Sequence, residues 1–184
     1  FLALVGFVLV FITADISIEP PENPQPGMYS VKYLPDGEFR KAATELINLI
    51  ATYQPGSVLN QFNKAREFLW EPALSEFEEV MMEREYMTIQ NTHRSQVFLI
   101  NEDLVRVQRF PARDIVVVRL PGTQQALIGN GRPLESKEIV YYIKMTTIPR
   151  SAYNESGIVV IDIRMKNQTT EDLKKLDQQE RMLG

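Results

Sequence analysis

Two hydrophobic periodicities divide this chain at about Ser95, and that division constrains the fold more than any single motif. Before it, apolar residues recur every three or four positions. Phe39, Ala42, Ala43, Leu46, Ile47, Leu49, Ile50 and Tyr53 make one stripe, with Asp36 as N-cap and Pro55-Gly56 as the stop. A second helix is capped by Ser57 and carries Leu59, Phe62, Arg66 and Leu69 on one face. Pro72 opens a third, which ends near Asn91. Its apolar stripe is Leu74, Phe77, Val80, Met81 and Met87, and Glu76, Glu78, Glu79, Glu83 and Glu85 form its solvated side.

From Ser95 the chain is rich in Val, Ile, Phe and Tyr and is broken by turn residues, the signature of strands. The pattern predicts strands at Gln96–Ile100, Val105–Phe110, Ile115–Leu120, Gln124–Ile128, Ile139–Thr147 and Ile158–Met165. The third and fourth are either separate or one long strand bent at Pro121-Gly122, and Asn130-Gly131 marks a tight turn. Helices followed by strands imply an α+β domain, with about three helices laid on a curved antiparallel sheet. One face of such a sheet can stay open to ligands or partners.

The amino terminus is of a different kind. Phe1, Leu2, Leu4, Val5, Phe7, Val8, Leu9, Phe11 and Ile12 belong to an apolar run that stops at Thr13-Ala14-Asp15. A hydrocarbon core takes about 20 apolar residues in a helix, so residues 1–16 are expected to be the outgoing half of a membrane-spanning helix in contact with the lipid bilayer. The alternative is the apolar stretch of a signal peptide, which would call for a basic flank and a small-residue cleavage site. No Lys or Arg occurs between Phe1 and Val31, whereas Asp15, Glu19 and Glu22 are acidic. By the positive-inside rule the following domain lies outside the cytoplasm. Residues 17–37, with prolines at 20, 21, 24, 26 and 35, read as a semi-rigid tether. Residues 38–168 are the α+β domain, and 169–184 a charged, helix-prone tail expected to fray or to meet a partner.

With 184 residues, 44% hydrophobic and 24% charged, the chain has material for one ordinary core. Its net charge of −4, mixed along the sequence, gives no footprint for wrapping nucleic acid, and no direct nucleic-acid binding is expected. There is no cysteine and one histidine, His93, at a helix-to-strand junction, which removes cysteine nucleophiles and multi-ligand zinc patterns. No Gly-x-Ser-x-Gly elbow is present, and Gly129-Asn130-Gly131 lacks the phosphate-loop fingerprint. These residues contain no catalytic constellation. Trp70 reads as a core plug at a helix corner. Tyr141 and Tyr142 point to opposite faces of their strand, so one packs inward and the other is a candidate contact.

The stretch Leu127-Ile128-Gly129-Asn130-Gly131-Arg132-Pro133-Leu134, leading into Ile139-Val140-Tyr141-Tyr142-Ile143, is similar to one in the TraE family. That family comprises conjugation-system relatives of the VirB/Tra inner-membrane assembly factor of type IV secretion. The order of apolar segment, linker, three helices and sheet resembles that family along most of the chain. Asn154-Glu155-Ser156-Gly157 resembles the Asn-Pro-x-Gly loop of the wider family, with Glu155 in place of its proline.

The resemblance implies a nuclear-transport-factor-like cone fold and a single-pass bacterial inner-membrane protein with a periplasmic domain. It also implies a scaffold subunit of a conjugative type IV secretion system, self-associating and contacting other channel subunits, with no enzyme activity and no cofactor. Tyr141, Tyr142, Asn154 and Gly157 are the candidate interface. The alternative is a membrane-tethered small-molecule binder or isomerase-like protein, with Asp114 or Asp162 as the polar group in the cone.

Overall fold

The computed structural model describes residues 30–129, 131–150, 154–169, 171–175 and 178. The membrane anchor assigned to residues 1–12 and the tether as far as residue 29 lie outside them. Among the described residues no helix is long and apolar enough to cross a membrane.

The stripe from Phe39 to Tyr53 forms helix α1 (Asp36–Ala51), which buries Phe39, Ala42, Ala43, Leu46, Ile47, Ile50 and Ala51. Asp36 is its first residue and Pro35 the N-cap, so the cap stands one position earlier than expected. Helix α2 (Val58–Arg66) follows Ser57, whose hydroxyl bonds Gln61 and the Gln54 carbonyl and does not cap the backbone. Its inward face is Val58, Phe62 and Ala65, while Leu59 is 42% exposed, one step away from the expected register.

The third helix begins as α3 (Ala73–Phe77), widens into a π-helical stretch (Glu78–Glu85) and closes as α4 (Tyr86–Thr92). A π turn takes more residues than an α turn, so a stripe counted at 3.6 falls out of phase within it. Val80 and Met87 consequently point outward at 41% and 53% exposure, and Ile89 takes the buried position. Glu78 pairs with Arg66, Glu79 with Arg84 and Glu85 with Arg94, which keeps the acidic side on the surface as expected. His93 ends α4 in the left-handed region at φ 47°, exposed at the turn into the sheet.

The sheet contains β1 (Ser95–Ile100), β2 (Arg106–Phe110), β3 (Ile115–Ile128), β4 (Arg132–Pro133), β5 (Lys137–Thr147) and β6 (Ile158–Asn167), all antiparallel. The order is β1-β3-β5-β6, with β2 and β4 also on β3. The two segments around Pro121 are therefore one continuous strand. β1 and β2 share one edge of β3, broken between them, and Asn101 donates to the Pro121 carbonyl at that break. A strand residue's N and C=O face the same way, so the proline nitrogen also faces the break, where no ladder bond is lost. Beside it, Gly122 lets the Phe98 ring cross the strand, since a Cβ there would lie 2.6 Å from Phe98 Cζ.

The helices cover one face of the sheet. The core between them joins Phe39, Leu46, Ile47 and Phe62 to Val116, Val118, Leu120, Ile139, Ile143 and Met145. Val31 is fully buried in the same core, so packing starts inside the segment grouped with the tether. Trp70 is 54% exposed and is not the core plug expected of it. Leu69 bridges Val160, and the Phe68 carbonyl and Trp70 amide bond Val160 on both sides, so this stretch runs as a short strand along the β6 edge. Strand alternation then turns Leu69 inward and Trp70 outward. Residues 171–175 are helical and Leu173 is buried, so the start of the tail belongs to the folded domain.

Candidate functional site

The β5 tyrosines divide as alternation requires. Tyr141 faces the helices, 8% exposed, with its ring edge-on to Phe98 at 5.1 Å. Burial, with a smaller contribution from the nearby Tyr53, pushes its hydroxyl pKa up to about 12. Its ring presents no surface to a partner. Tyr142 faces the other side of the sheet, half-buried. Its hydroxyl donates to Gln168 Oε1 at 2.8 Å, and Lys166 Nζ stands 5.4 Å from its ring centre.

Strand register places Tyr142 in a row with three arginines. Arg106 of β2 pairs with Arg119 of β3, Arg119 with Tyr142 of β5, and Tyr142 with Arg164 of β6. Arg119 is 9% exposed. This row crosses the sheet face away from the helices, where Arg106 donates to the Asp103 and Val105 carbonyls and Arg164 pairs with Asp162 at 2.9 Å. No periodicity announced it, because each arginine comes from a different strand and only the register aligns them.

Asn154 and Gly157 close the β5–β6 connection. Asn154 Oδ1 accepts from the Gly157 amide at 2.8 Å and the Ser156 hydroxyl at 2.9 Å, and its amide nitrogen donates to the Ile158 carbonyl at 3.0 Å. Gly157 has φ +68°, and a Cβ on it would stand 2.7 Å from the Ile148 carbonyl. Asn154 thus supplies, through its side chain, the turn geometry that a proline at 155 would otherwise favour. Tyr142 is five residues along β5 from Thr147, the partner of Ile158. The Tyr142 row and this loop are therefore separated by about 17 Å of strand and form two surfaces.

The same end of the sheet holds a cluster that sequence reasoning missed. Asp114, at the left-handed corner between β2 and β3 (φ 53°), accepts the Ser30 hydroxyl at 2.9 Å and the Val31 amide at 3.1 Å. Arg109 donates to the Val31 carbonyl, to the Leu34 carbonyl at 2.6 Å and to Asp36 at 2.6 Å, with its guanidinium 5.4 Å from the Phe39 ring centre. The two residues clasp the segment that leads into α1. Asp114, the polar group of the alternative small-molecule reading, here accepts a backbone and a hydroxyl hydrogen instead.

A second polar lock joins α1 to β1. Tyr53 and Gln96 exchange backbone bonds of 2.8 and 2.9 Å, and Arg94 donates to the Tyr53 hydroxyl at 2.7 Å while pairing with Glu85. Burial raises the Tyr53 pKa, and Arg94 opposes that shift. An open cleft of about 480 Å³ lies beside this lock, lined by Thr52, Tyr53, Gln61, Gln96, Gln125 and Leu127 among others. Another, of about 590 Å³, runs along the outer side of α1 past Arg40, Glu45 and Gln61. Neither is lined by Asp114 or Asp162, and Asp162 pairs with Arg164 at 2.9 Å.

No family model matches the sequence, and no curated protein matches it. Solved structures do. A TrwG component of the type IV secretion system of Bartonella birtlesii is similar at TM-score 0.56 and 12% identity, over 73% of this chain and 94% of that one. The VirB8 protein of Agrobacterium tumefaciens is similar at TM-score 0.54 and 8% identity, over 73% and 94%. A TraE protein in complex with 2-(2-furyl)isonicotinic acid is similar at TM-score 0.56 and 11% identity, over 73% and 98%. The helices packed on an antiparallel sheet described above are thus the fold that the TraE, TrwG and VirB8 proteins of type IV secretion share.

Proposed function

We propose that this chain is a non-enzymatic assembly subunit of a bacterial type IV secretion machine of the conjugative kind. The apolar run at residues 1–12 holds it in the inner membrane, and the α+β domain stands in the periplasm. The observation that carries this reading is the shared fold along nearly the full length of those secretion proteins. The acidic, Lys- and Arg-free approach to the domain supports the orientation.

The work of such a subunit is positional. An anchor and a tether confine the domain to a layer above the membrane, where weak contacts between copies and with other channel subunits are strengthened by effective concentration. The row around Tyr142 and the loop at 154–157 are the contact surfaces of this reading. Their separation lets one domain engage two neighbours, a second copy of itself among them.

Affinity purification of the tagged full-length protein from its host in mild detergent tests this. Other secretion subunits should co-purify, and Tyr142→Glu should abolish their recovery while the domain stays folded. Recovery of this chain alone, under conditions that keep a known envelope complex intact, would overturn the assembly role.

A further inference from the structure

The chain enters the folded domain at a defined place. Ser30 and Val31 are fastened to Asp114 at the β2–β3 corner, and Arg109 of the same hairpin holds Val31, Leu34 and Asp36. The strand registers Phe110↔Ile115 and Thr147↔Ile158, with the Thr146 hydroxyl on the Asp114 carbonyl at 2.8 Å, put this corner and residues 148–150 and 154–157 at one end of the sheet. Gly129, Gly131 and Gln125 lie toward the other end. A tether arriving at Ser30 therefore gives the domain a near end and a far end.

The near end has a distinctive surface. Tyr33 is 68% exposed and Phe110 36%, the latter leading into Pro111, Ala112 and Arg113, all exposed, and Lys32 is exposed beside Tyr33. Two aromatic rings and two cations thus stand on neighbouring turns that the Arg109 and Asp114 bonds hold together. The Tyr33 ring with its polar hydroxyl and the apolar Phe110 ring, flanked by basic side chains, suit the layer where lipid headgroups meet hydrocarbon. Of the acids at this end, Asp36 is engaged by Arg109 and Asp114 by Ser30 and Val31, while Glu38 in the first turn of α1 and Glu155 in the neighbouring loop are exposed.

We propose that this end, built from Lys32, Tyr33, Phe110 and Arg113, rests on the surface of the membrane that carries the chain, as a contact for anionic lipid headgroups. The contact depends on the reading of residues 1–12 as a membrane anchor. Seventeen residues separate Ile12 from Ser30, and at 3.3–3.6 Å per residue they cap the height of the domain at about 60 Å without setting a minimum. Within that reach a patch too weak to bind vesicles from free solution can dock, because the tether supplies the concentration. Docking would fix the tilt of the domain and leave the Tyr142 row and the far end facing the envelope.

The chain has no cysteine, so single labels can be placed cleanly. The full chain is reconstituted as Ala112→Cys or Gln125→Cys with a fluorophore, in phosphatidylcholine vesicles with and without phosphatidylglycerol. The label at 112 should be quenched by headgroup-level nitroxide lipid and shielded from aqueous iodide, and the label at 125 should behave oppositely. Reversing Lys32 and Arg113 to Glu should weaken the lipid signal about fivefold per charge, as should removing phosphatidylglycerol. Tyr33→Ser with Phe110→Ser should lower it at constant charge. Equal accessibility at 112 and 125 in a chain that floats with the vesicles would overturn this contact alone. A chain that does not float would overturn the anchor and the contact together.

Discussion

Ser30 and Asp114, 84 positions apart in sequence, share a hydrogen bond of 2.9 Å, and the same carboxylate oxygen accepts the Val31 amide at 3.1 Å. Val31 is fully buried, so its amide has no water to fall back on. Asp114→Ala should cost about 1–3 kcal/mol in urea unfolding, the penalty of leaving that donor unmet. Asp114→Asn keeps an acceptor and the tolerance for positive φ, and should lose less than half as much. Equal midpoints for the two variants would show that the corner does not hold the entering chain.

Gly122 allows the Phe98 ring to lie across β3. A Cβ there would stand 2.4 Å from the Leu99 carbonyl and 2.6 Å from Phe98 Cζ, and the carbonyl belongs to a paired strand that cannot swing aside. Gly122→Ala should destabilise by about 1–3 kcal/mol, the usual penalty for an overpacked core. Gly122→Ala combined with Phe98→Leu should recover part of that loss if the ring is one of the obstacles. Thermal melts of the three proteins check this, and an unchanged Gly122→Ala melt would refute it.

Tyr141 provides an alkaline test. Its hydroxyl pKa is raised by burial to about 12, above the ordinary value of 10.0. The folded state therefore favours the protonated ring, whose stabilising effect is complete below pH 10 and is lost as pH rises through 12. The loss approaches about 3 kcal/mol, and Tyr53, shifted the same way by burial, adds to it. Tyr141→Phe should resist unfolding between pH 10 and 12 better than the parent, measured by circular dichroism. Parallel pH profiles would mean that the ring ionises freely.

The π-helical stretch makes a prediction opposite to the one that 3.6-residue spacing would make. Ile89 is fully buried and Met87 is 53% exposed. Ile89→Ala should cost about 2–5 kcal/mol, and Met87→Ala should stay within about 0.5 kcal/mol. Denaturant midpoints decide it, and a larger effect at Met87 would restore an uninterrupted α-helix.

What local pattern can express, the sequence expressed well. The α1 stripe from Phe39 to Ile50 is buried nearly residue for residue, and the strands begin and end within a few residues of where alternation put them. One strand through Pro121-Gly122 was among the open readings. The resemblance carried by the Leu127–Leu134 and Tyr141-Tyr142 stretches led to the same fold that the solved secretion proteins display. A helix or strand that packs one face must repeat its apolar residues at its own period, so such features are written locally.

Three matters were decided only in three dimensions. The phase of α2 and of the third helix depends on where the chain leaves the preceding turn and on the π widening, so Val58 and Ile89 are buried where Leu59 and Met87 were expected. Trp70 is turned outward by backbone pairing with Val160, a partner 90 positions away. The Arg106–Arg119–Tyr142–Arg164 row and the Ser30–Asp114 clasp exist because strands distant in sequence share a register. Periodicity reports which side of an element is dry, but which residues meet across elements is set by register and packing, and on those this chain's contact surfaces depend.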